Sequence, residues 1–317
     1  MLIIKINNYR SKNKLFDLAL APVSAIAHTW ITLRRKLYEP TLSNEAFFRY
    51  KYKTRFNQAL PLENPLSFNQ KIQWRKLYEK NPLFTILADK YAVRQYVADR
   101  VGEQYLIPLV DYCQSTDEMD YANYPNHIVI KATHDCGSVI LIRDKKDIQE
   151  SAIKKQLNKA LDINFYSFNR EWHYKDIPPA IIVEKMLLDE NGNIPFDFKL
   201  HTFGGKVEWI QVANPSHTCN TMFDADWKRL PFSYLNQIDE TPIPPPPNLK
   251  KIVEIAEKLS EGINYVRVDL YVVKGQVYFG EMTLTPNGGY GAFTPNSYDL
   301  EYGKKFILDL EKYAPLK

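Results

Sequence analysis

The sequence predicts an α+β fold whose sheets are built from short hairpins. Residues 196 to 203 alternate in polarity, placing Asp197, Lys199 and His201 on one face and Phe196, Phe198 and Leu200 on the other. Gly204-Gly205 and Lys274-Gly275 are turn pairs that join 197–213 and 265–281 into hairpins. The strands do not alternate regularly with helices, as a doubly wound βαβ series would require.

Residues 1 to about 60 read as an N-terminal segment of helix and loop. Within it, Leu15 to Leu33 is largely apolar and runs into Arg34-Arg-Lys36, but Asp17, Pro22 and His28 interrupt it. It falls short of the roughly 20 clean apolar residues of a spanning helix. A helix at the cytoplasmic membrane face and a helix packed on its own domain both fit. Residues 61–317 are expected to form one two-lobed domain, with lobes 61–183 and 184–317.

Ser67-Phe-Asn-Gln70 has the pattern of a capping box, opening a helix through Tyr78. A second helix is expected over Asp89 to Val101, stopped by Gly102. Strands are expected over His127–Ala132 and Val139–Arg143, joined by the link Thr133–Ser138, and again over Ile181–Lys185. Pro244 to Pro247 form a stiff connector, followed by a helix over Leu249–Gly262 and strands over Tyr265–Val273 and Gln276–Glu281.

Composition narrows the function. The net charge of +4, from 41 basic and 37 acidic residues, gives no case for a nucleic-acid binder, though it allows a local basic cleft for phosphates. Cys113, Cys136 and Cys219 are odd in number and form no C-x-x-C pair. A cytoplasmic, reducing location without a disulfide framework is therefore expected. His217 and Cys219 lack a second ligand pair, so no metal is expected there.

Four groups of residues can carry chemistry. Arg267 and Asp269 share one strand face, and the following turn brings Glu281 across to meet them. Two carboxylates beside an arginine suit Mg²⁺ carrying nucleotide phosphates. A cross-strand salt bridge fits equally well at this point. Lys131 interrupts an apolar strand, so it either snorkels from an edge or faces an anion. The link after it, with Gly137 and Ser138, offers backbone amides to a phosphate. Glu184-Lys185-Met186 ends a strand where backbone groups can read an adenine edge and a carboxylate can hold a ribose. An ordinary strand end remains the alternative, as a solvated strand face does for Asp197 and Lys199.

Taken in order, the motifs say more. Ala88-Asp-Lys-Tyr-Ala-Val-Arg94, His127-Ile-Val-Ile-Lys-Ala132, Ile181-Ile-Val-Glu-Lys-Met186, Arg267-Val-Asp-Leu270 and Phe279-Gly-Glu-Met-Thr-Leu-Thr-Pro286 together closely resemble the ATP-grasp superfamily. Phe68-Asn-Gln-Lys-Ile-Gln-Trp74, Asn81-Pro-Leu-Phe84 and Glu171-Trp-His-Tyr174 are most similar to its TupA-like branch, associated with bacterial surface polysaccharides. The resemblance covers roughly residues 65 to 295.

The resemblance implies an ATP-grasp fold, two lobes with mixed and antiparallel sheets clamping ATP. It implies Lys90 and Lys131 on the ATP phosphates and Thr133–Ser138, with Gly137 and Ser138, as the phosphate loop. Glu184, Lys185 and Met186 become the adenine and ribose hinge, and Asp269 and Glu281 the Mg²⁺ ligands. Arg267 would stabilise the transferring phosphoryl group, while Asp197 and Lys199 would reach phosphates or acceptor. Thr283 stands where the family has an asparagine as third metal ligand. The strand-rich domain that usually precedes the ATP lobes is not evident before Lys90, which directs substrate selection to the N-terminus and to Trp209–Pro247.

The expected activity is an ATP-dependent carboxylate–amine ligation through an acyl phosphate. The expected substrates are an amine or amino acid and a uronic acid of a surface polysaccharide. A glycosyltransferase of such a pathway and a non-catalytic nucleotide-binding protein are the alternatives. The sequence leaves the oligomeric state open.

Overall fold

A computed structural model describes residues 37–213, 219–238 and 241–313. The chain divides into two compact units, Met1–Ala59 and Leu60–Lys317. In the first, helix α1 (Asn44–Phe56) starts where the Ser43 hydroxyl accepts from the Ala46 amide at 3.2 Å. The apolar run 15–33, like His217, lies outside the described residues. Among the described residues, no helix is long and apolar enough to cross a membrane.

The second unit opens with α2 (Phe68–Tyr78), α3 (Leu83–Ala88) and α4 (Val93–Val101). The expected capping box starts α2: Ser67 Oγ accepts from the Gln70 amide, and Gln70 Oε1 accepts from the Ser67 amide. Helix α4 begins later than its sequence pattern suggested. Asp89 Oδ1 accepts from the amides of Tyr91 and Ala92, which holds residues 89–92 in a turn.

Strands β1 (Leu109–Cys113), β2 (Ile128–Ala132) and β3 (Val139–Ile142) follow, then α5 (Glu150–Leu161), α6 (Tyr166–Asn169) and β4 (Ile181–Lys185). The four strands make one antiparallel sheet in the order β1-β4-β2-β3. One face packs Ile128, Ile130, Ile181 and Val183 against Ile153 and Leu157 of α5. The lobe boundary expected at 183/184 falls inside β4, whose last residues still pair with β2.

The rest comprises β5 (Asp197–Phe203), β6 (Lys206–Ala213), β7 (Cys219–Phe223), β8 (Ser233–Tyr234), β9 (Gln237–Ile238), α7 (Leu249–Ser260), β10 (Tyr265–Val273), β11 (Gln276–Thr283), β12 (Phe293–Thr294) and α8 (Ser297–Lys305). Six of these strands form a mixed sheet in the order β11-β10-β5-β6-β7-β9, parallel between β7 and β9 and antiparallel elsewhere. Its two faces differ as period-two alternation demands. On one, Phe198, Leu200, Val266, Val268 and Leu270 pack on Ile252, Ile255 and Leu259 of α7. The other is aromatic at its lower end, where Phe203, Trp209 and Tyr265 meet Phe68, Phe293, Tyr302 and Phe306. Charged residues occupy the same face further along.

Helix α2 explains its unusual load of buried polar side chains by what they hold. Gln73 Nε2 donates to the carbonyls of Gly288 and Gly289, each at 2.9 Å, and Lys76 Nζ donates to Gly288 O at 2.7 Å. Asn69 Nδ2 donates to Gly291 O at 2.8 Å. These bonds satisfy carbonyls of a buried turn that no strand partner reaches. At Gly289, φ is +73° and a Cβ would stand 2.6 Å from Ile72, so only glycine passes beneath the helix.

Candidate functional site

Strand pairing assembles the charged face. Asp269 on β10 stands directly opposite Glu281 on β11 and opposite Lys199 on β5, while Arg267 faces Thr283 and His201. A β-bulge follows the Asp269–Glu281 pair, with Gly280 as its extra residue. A Cβ there would come within 2.9 Å of the Tyr271 ring and 3.1 Å of the Asp269 carbonyl. The bulge therefore needs glycine, and it sets the register that puts Glu281 beside Asp269.

Arg267 ties the face together. Its Nε and Nη2 donate to Asp269 Oδ1 and Oδ2 at 2.7 Å, and Nη2 also reaches Glu281 Oε1 at 2.6 Å. Lys199 Nζ approaches Asp269 Oδ2 at 3.1 Å and also bonds Asp197. Thr283 Oγ1 donates to Glu281 Oε1 at 3.0 Å. Burial raises the Asp269 carboxyl to about 6, against the pull of Arg267 and Lys199. Desolvation also works to raise Glu281, but Arg267, Lys199 and Lys90 overcome it and hold that carboxyl at about 2.

Beneath Arg267, His201 lies fully buried and stacked on Trp209, with centroids 3.3 Å apart, and its Nδ1 is 2.8 Å from the Tyr265 hydroxyl. It shares the Lys199 face, as alternation requires, but belongs to the aromatic floor.

The first sheet brings the other cations. Lys90 Nζ donates to the carbonyls of Ala132, at 3.0 Å, and Asp135, and burial lowers its pKa. Lys131 Nζ meets Glu184 Oε2 at 2.9 Å, and Arg94 Nη1 meets Glu184 Oε1 at 2.8 Å. In the link between β2 and β3, Ser138 Oγ donates to Asp135 Oδ2, and Gly137 is exposed.

The residues expected to form the hinge all have protein partners in this structure. The Glu184 carboxylate, assigned to a ribose, is bound to Lys131 and Arg94. Of the backbone groups expected at an adenine edge, the amides of Lys185 and Met186 donate to Pro108 O at 3.0 Å and His127 O at 2.7 Å. Strand pairing and the chain's return past β1 engage those donors.

A cavity of about 200 Å³ joins the two sheets. Lys90, Asp135 and Cys136 line one side, and Arg267, Glu281 and Thr283 another. It continues to Glu171, Tyr174, Thr285 and Asn287, none of which the sequence reading gave a role. The signal for Glu171 was a carboxylate among aromatic residues in Glu171-Trp-His-Tyr174. Cys113 and Cys136 are free thiols.

Among the described residues, no three His, Cys, Asp or Glu side chains cluster as a metal site. Mg²⁺ needs fewer protein ligands, since it keeps waters and takes phosphate oxygens. Glu281 with Thr283, beside Asp269, fits an ion that arrives with a nucleotide.

No curated relative matches the chain. Solved structures similar to it include an L-amino acid ligase from Bacillus licheniformis, with 15% identity, coverage of 84% of this chain and 53% of the other, and a TM-score of 0.40. A D-alanine–D-alanine ligase from Bacillus anthracis complexed with ATP has 18% identity, covers 62% and 53%, and has a TM-score of 0.33. A biotin carboxylase from Campylobacter jejuni has 16% identity, covers 72% and 48%, and has a TM-score of 0.36. The chain thus spans about half the length of these three structures. Family membership rests on sequence. The TupA-like ATP-grasp family model matches residues 70–307, a stretch that holds both sheets and every residue of the candidate site, and the chain belongs to that family.

Proposed function

We propose that this ATP-grasp protein is an ATP-dependent ligase that joins a carboxylate to an amine through an acyl phosphate. The supporting observation is the single cavity lined by Lys90, which is held against the first sheet and its β2–β3 link, and by Arg267, Glu281 and Thr283 of the second sheet. Such a set suits a terminal phosphoryl group: cations neutralise its oxygens, and no protein nucleophile is needed. Lys131 and the Gly137–Ser138 link would serve the remaining phosphates, and Asp197 and Lys199 would reach the phosphates or the acceptor. Asp269, Glu281 and Thr283 would hold Mg²⁺, which would supply charge neutralisation to the phosphates.

The carboxylate oxygen attacks the γ-phosphorus and ADP leaves. The amine nitrogen then bonds to the activated carbonyl carbon, and phosphate leaves. Arg267, already held by Asp269 and Glu281, meets this chemistry without reorganising. Holding both reactants in one small cavity supplies much of the rate. We assign the acid to a uronic acid of a surface polysaccharide, which rests on resemblance to the TupA-like branch.

Hydroxylamine tests the scheme. With ATP, Mg²⁺ and a panel of uronic acids, a hydroxamate should form in equal amount to ADP. Release of AMP and pyrophosphate with the accepted acid would overturn the acyl phosphate. Consumption of a nucleotide sugar without hydroxamate would mark a glycosyltransferase instead.

A further inference from the structure

The cavity runs past the phosphate-facing cations to a floor that the mechanism above does not use, formed by Asn169, Glu171, Tyr174, Thr285, Asn287 and Gly288. Its two ends are opposite in character. Arg267 and Lys90 favour anions at the entrance, whereas the floor presents Glu171, only 5% exposed. Glu171 Oε1 accepts from the Thr285 hydroxyl, and Asn169 also bonds the carboxylate. Lys76, pinned to Gly288 O, supplies opposing charge. Burial nevertheless raises the Glu171 carboxyl above its ordinary range.

We propose that this floor is the subsite of the amine substrate, a primary amine of about amino-acid size, and that Glu171 receives its ammonium group. The inference rests on the ligase reading above and assigns its second substrate. A buried carboxylate facing a cavity is costly unless a cation pairs with it, and an ammonium does so. Drug-sized ligands occupy pockets of roughly 300–1,000 Å³, so about 200 Å³ suits a smaller molecule.

The same carboxylate can take the proton that the amine must lose. Transfer of one proton from the ammonium to Glu171 frees the nitrogen lone pair. That pair forms the C–N bond, the C–O bond to phosphate breaks, and the nitrogen's surplus proton leaves with phosphate. A carboxylate buried into a higher pKa is the stronger base for this step.

Calorimetry on the full chain, loaded with AMP-PNP and Mg²⁺, tests the assignment. The probes are the twenty common L-amino acids and ethanolamine, each beside its N-acetyl form. At least one free amine should bind and its acetylated form should not. Glu171→Gln should weaken that binding at least tenfold and leave AMP-PNP affinity unchanged, with partial recovery in Glu171→Asp. Should Glu171→Gln fail to fold, Asn169→Leu fills the floor with apolar volume and should likewise block the amine. Equal amine affinity in a folded variant overturns the inference, as does a wild-type protein that binds AMP-PNP but no amine. Failure of the wild type to bind AMP-PNP would instead overturn the ligase reading itself.

Discussion

Arg267 grips Asp269 with two hydrogen bonds, Nε to Oδ1 and Nη2 to Oδ2, each 2.7 Å long. The pair sits two residues apart on β10, so the strand's own alternation preorganises it. A fixed guanidinium spends no energy in turning toward developing charge, which is the value of such a pair at a phosphoryl-transfer site.

Replacing Asp269 with asparagine should therefore cost twice. Turnover should fall by about 10²-fold, because charge near the phosphates is lost. Stability should fall by about 3 kcal/mol, since Arg267 and Lys199 are left partly unpaired in a buried place. ADP release at limiting Mg²⁺ and urea unfolding measure the two effects. A wild-type rate under those conditions would remove Asp269 from the site.

Lys131 should contribute to binding more than to folding. Arg94 holds the same Glu184 carboxylate, so Lys131→Ala leaves that anion paired. ATP affinity should drop about tenfold or more, the worth of a hydrogen bond to a charged group. Calorimetry on a folded variant with unchanged affinity would refute the phosphate role.

The stability that His173 contributes should be lost as pH falls below about 6.5, while the raised Asp269 carboxyl acts with the opposite sign. Burial, with the cations Arg75, Lys76 and Lys80 around it, lowers His173 to about 3. Its unfolded value is about 6.5, so the unfolded chain binds more protons between these limits. Stability contributed by neutral His173 is present above that window and lost on acidification through it, at up to about 1.4 kcal/mol per pH unit. His201, also held well below its ordinary range by burial, adds the same sign. Urea midpoints between pH 8 and 5 measure the slope, and His173→Gln should flatten it. An unchanged slope in that variant would discount His173.

Gly289→Ala should destabilise the protein by about 2 kcal/mol or more, because its Cβ would stand 2.5 Å from Gln73 and 2.6 Å from Ile72 at a positive φ. Thermal unfolding reads the loss. A melting temperature equal to wild type would show that α2 can retreat from the turn.

The α+β class was legible because hairpin alternation and turn glycines are local signals. The pairing of Asp269 with Glu281 could be read in outline from the strands 265–273 and 276–281. The bulge at Gly280 could not, since it depends on how closely Tyr271 and the Asp269 carbonyl approach. Helix α5 and strand β1 went unread: the apolar stripe of α5 (Ile153, Leu157, Ala160) was overlooked, and Asp111 interrupts β1 at its centre. The present partners of the hinge residues could not be read, because backbone motifs do not reveal which amides a distant strand already occupies. Glu171 escaped because its meaning lies in Thr285, 114 residues away.

The grip of α2 on the 288–289 turn has a consequence for biosynthesis. Gln73 and Gly288 are 215 residues apart, so this contact closes nearly the whole length of the second unit. Contacts of such separation are slow to form, whereas hairpins close early. The chain emerging from the ribosome would thus acquire the strands that carry Lys131, Lys199 and Arg267 before the turn that completes the cavity. An interrupted chain that stops short of residue 286 would carry the lysines and Glu171 but lack Asn287 and Gly288, which complete the floor. The molecule would gain a finished place for its second reactant only once this turn is made, and shorter products could not join two substrates.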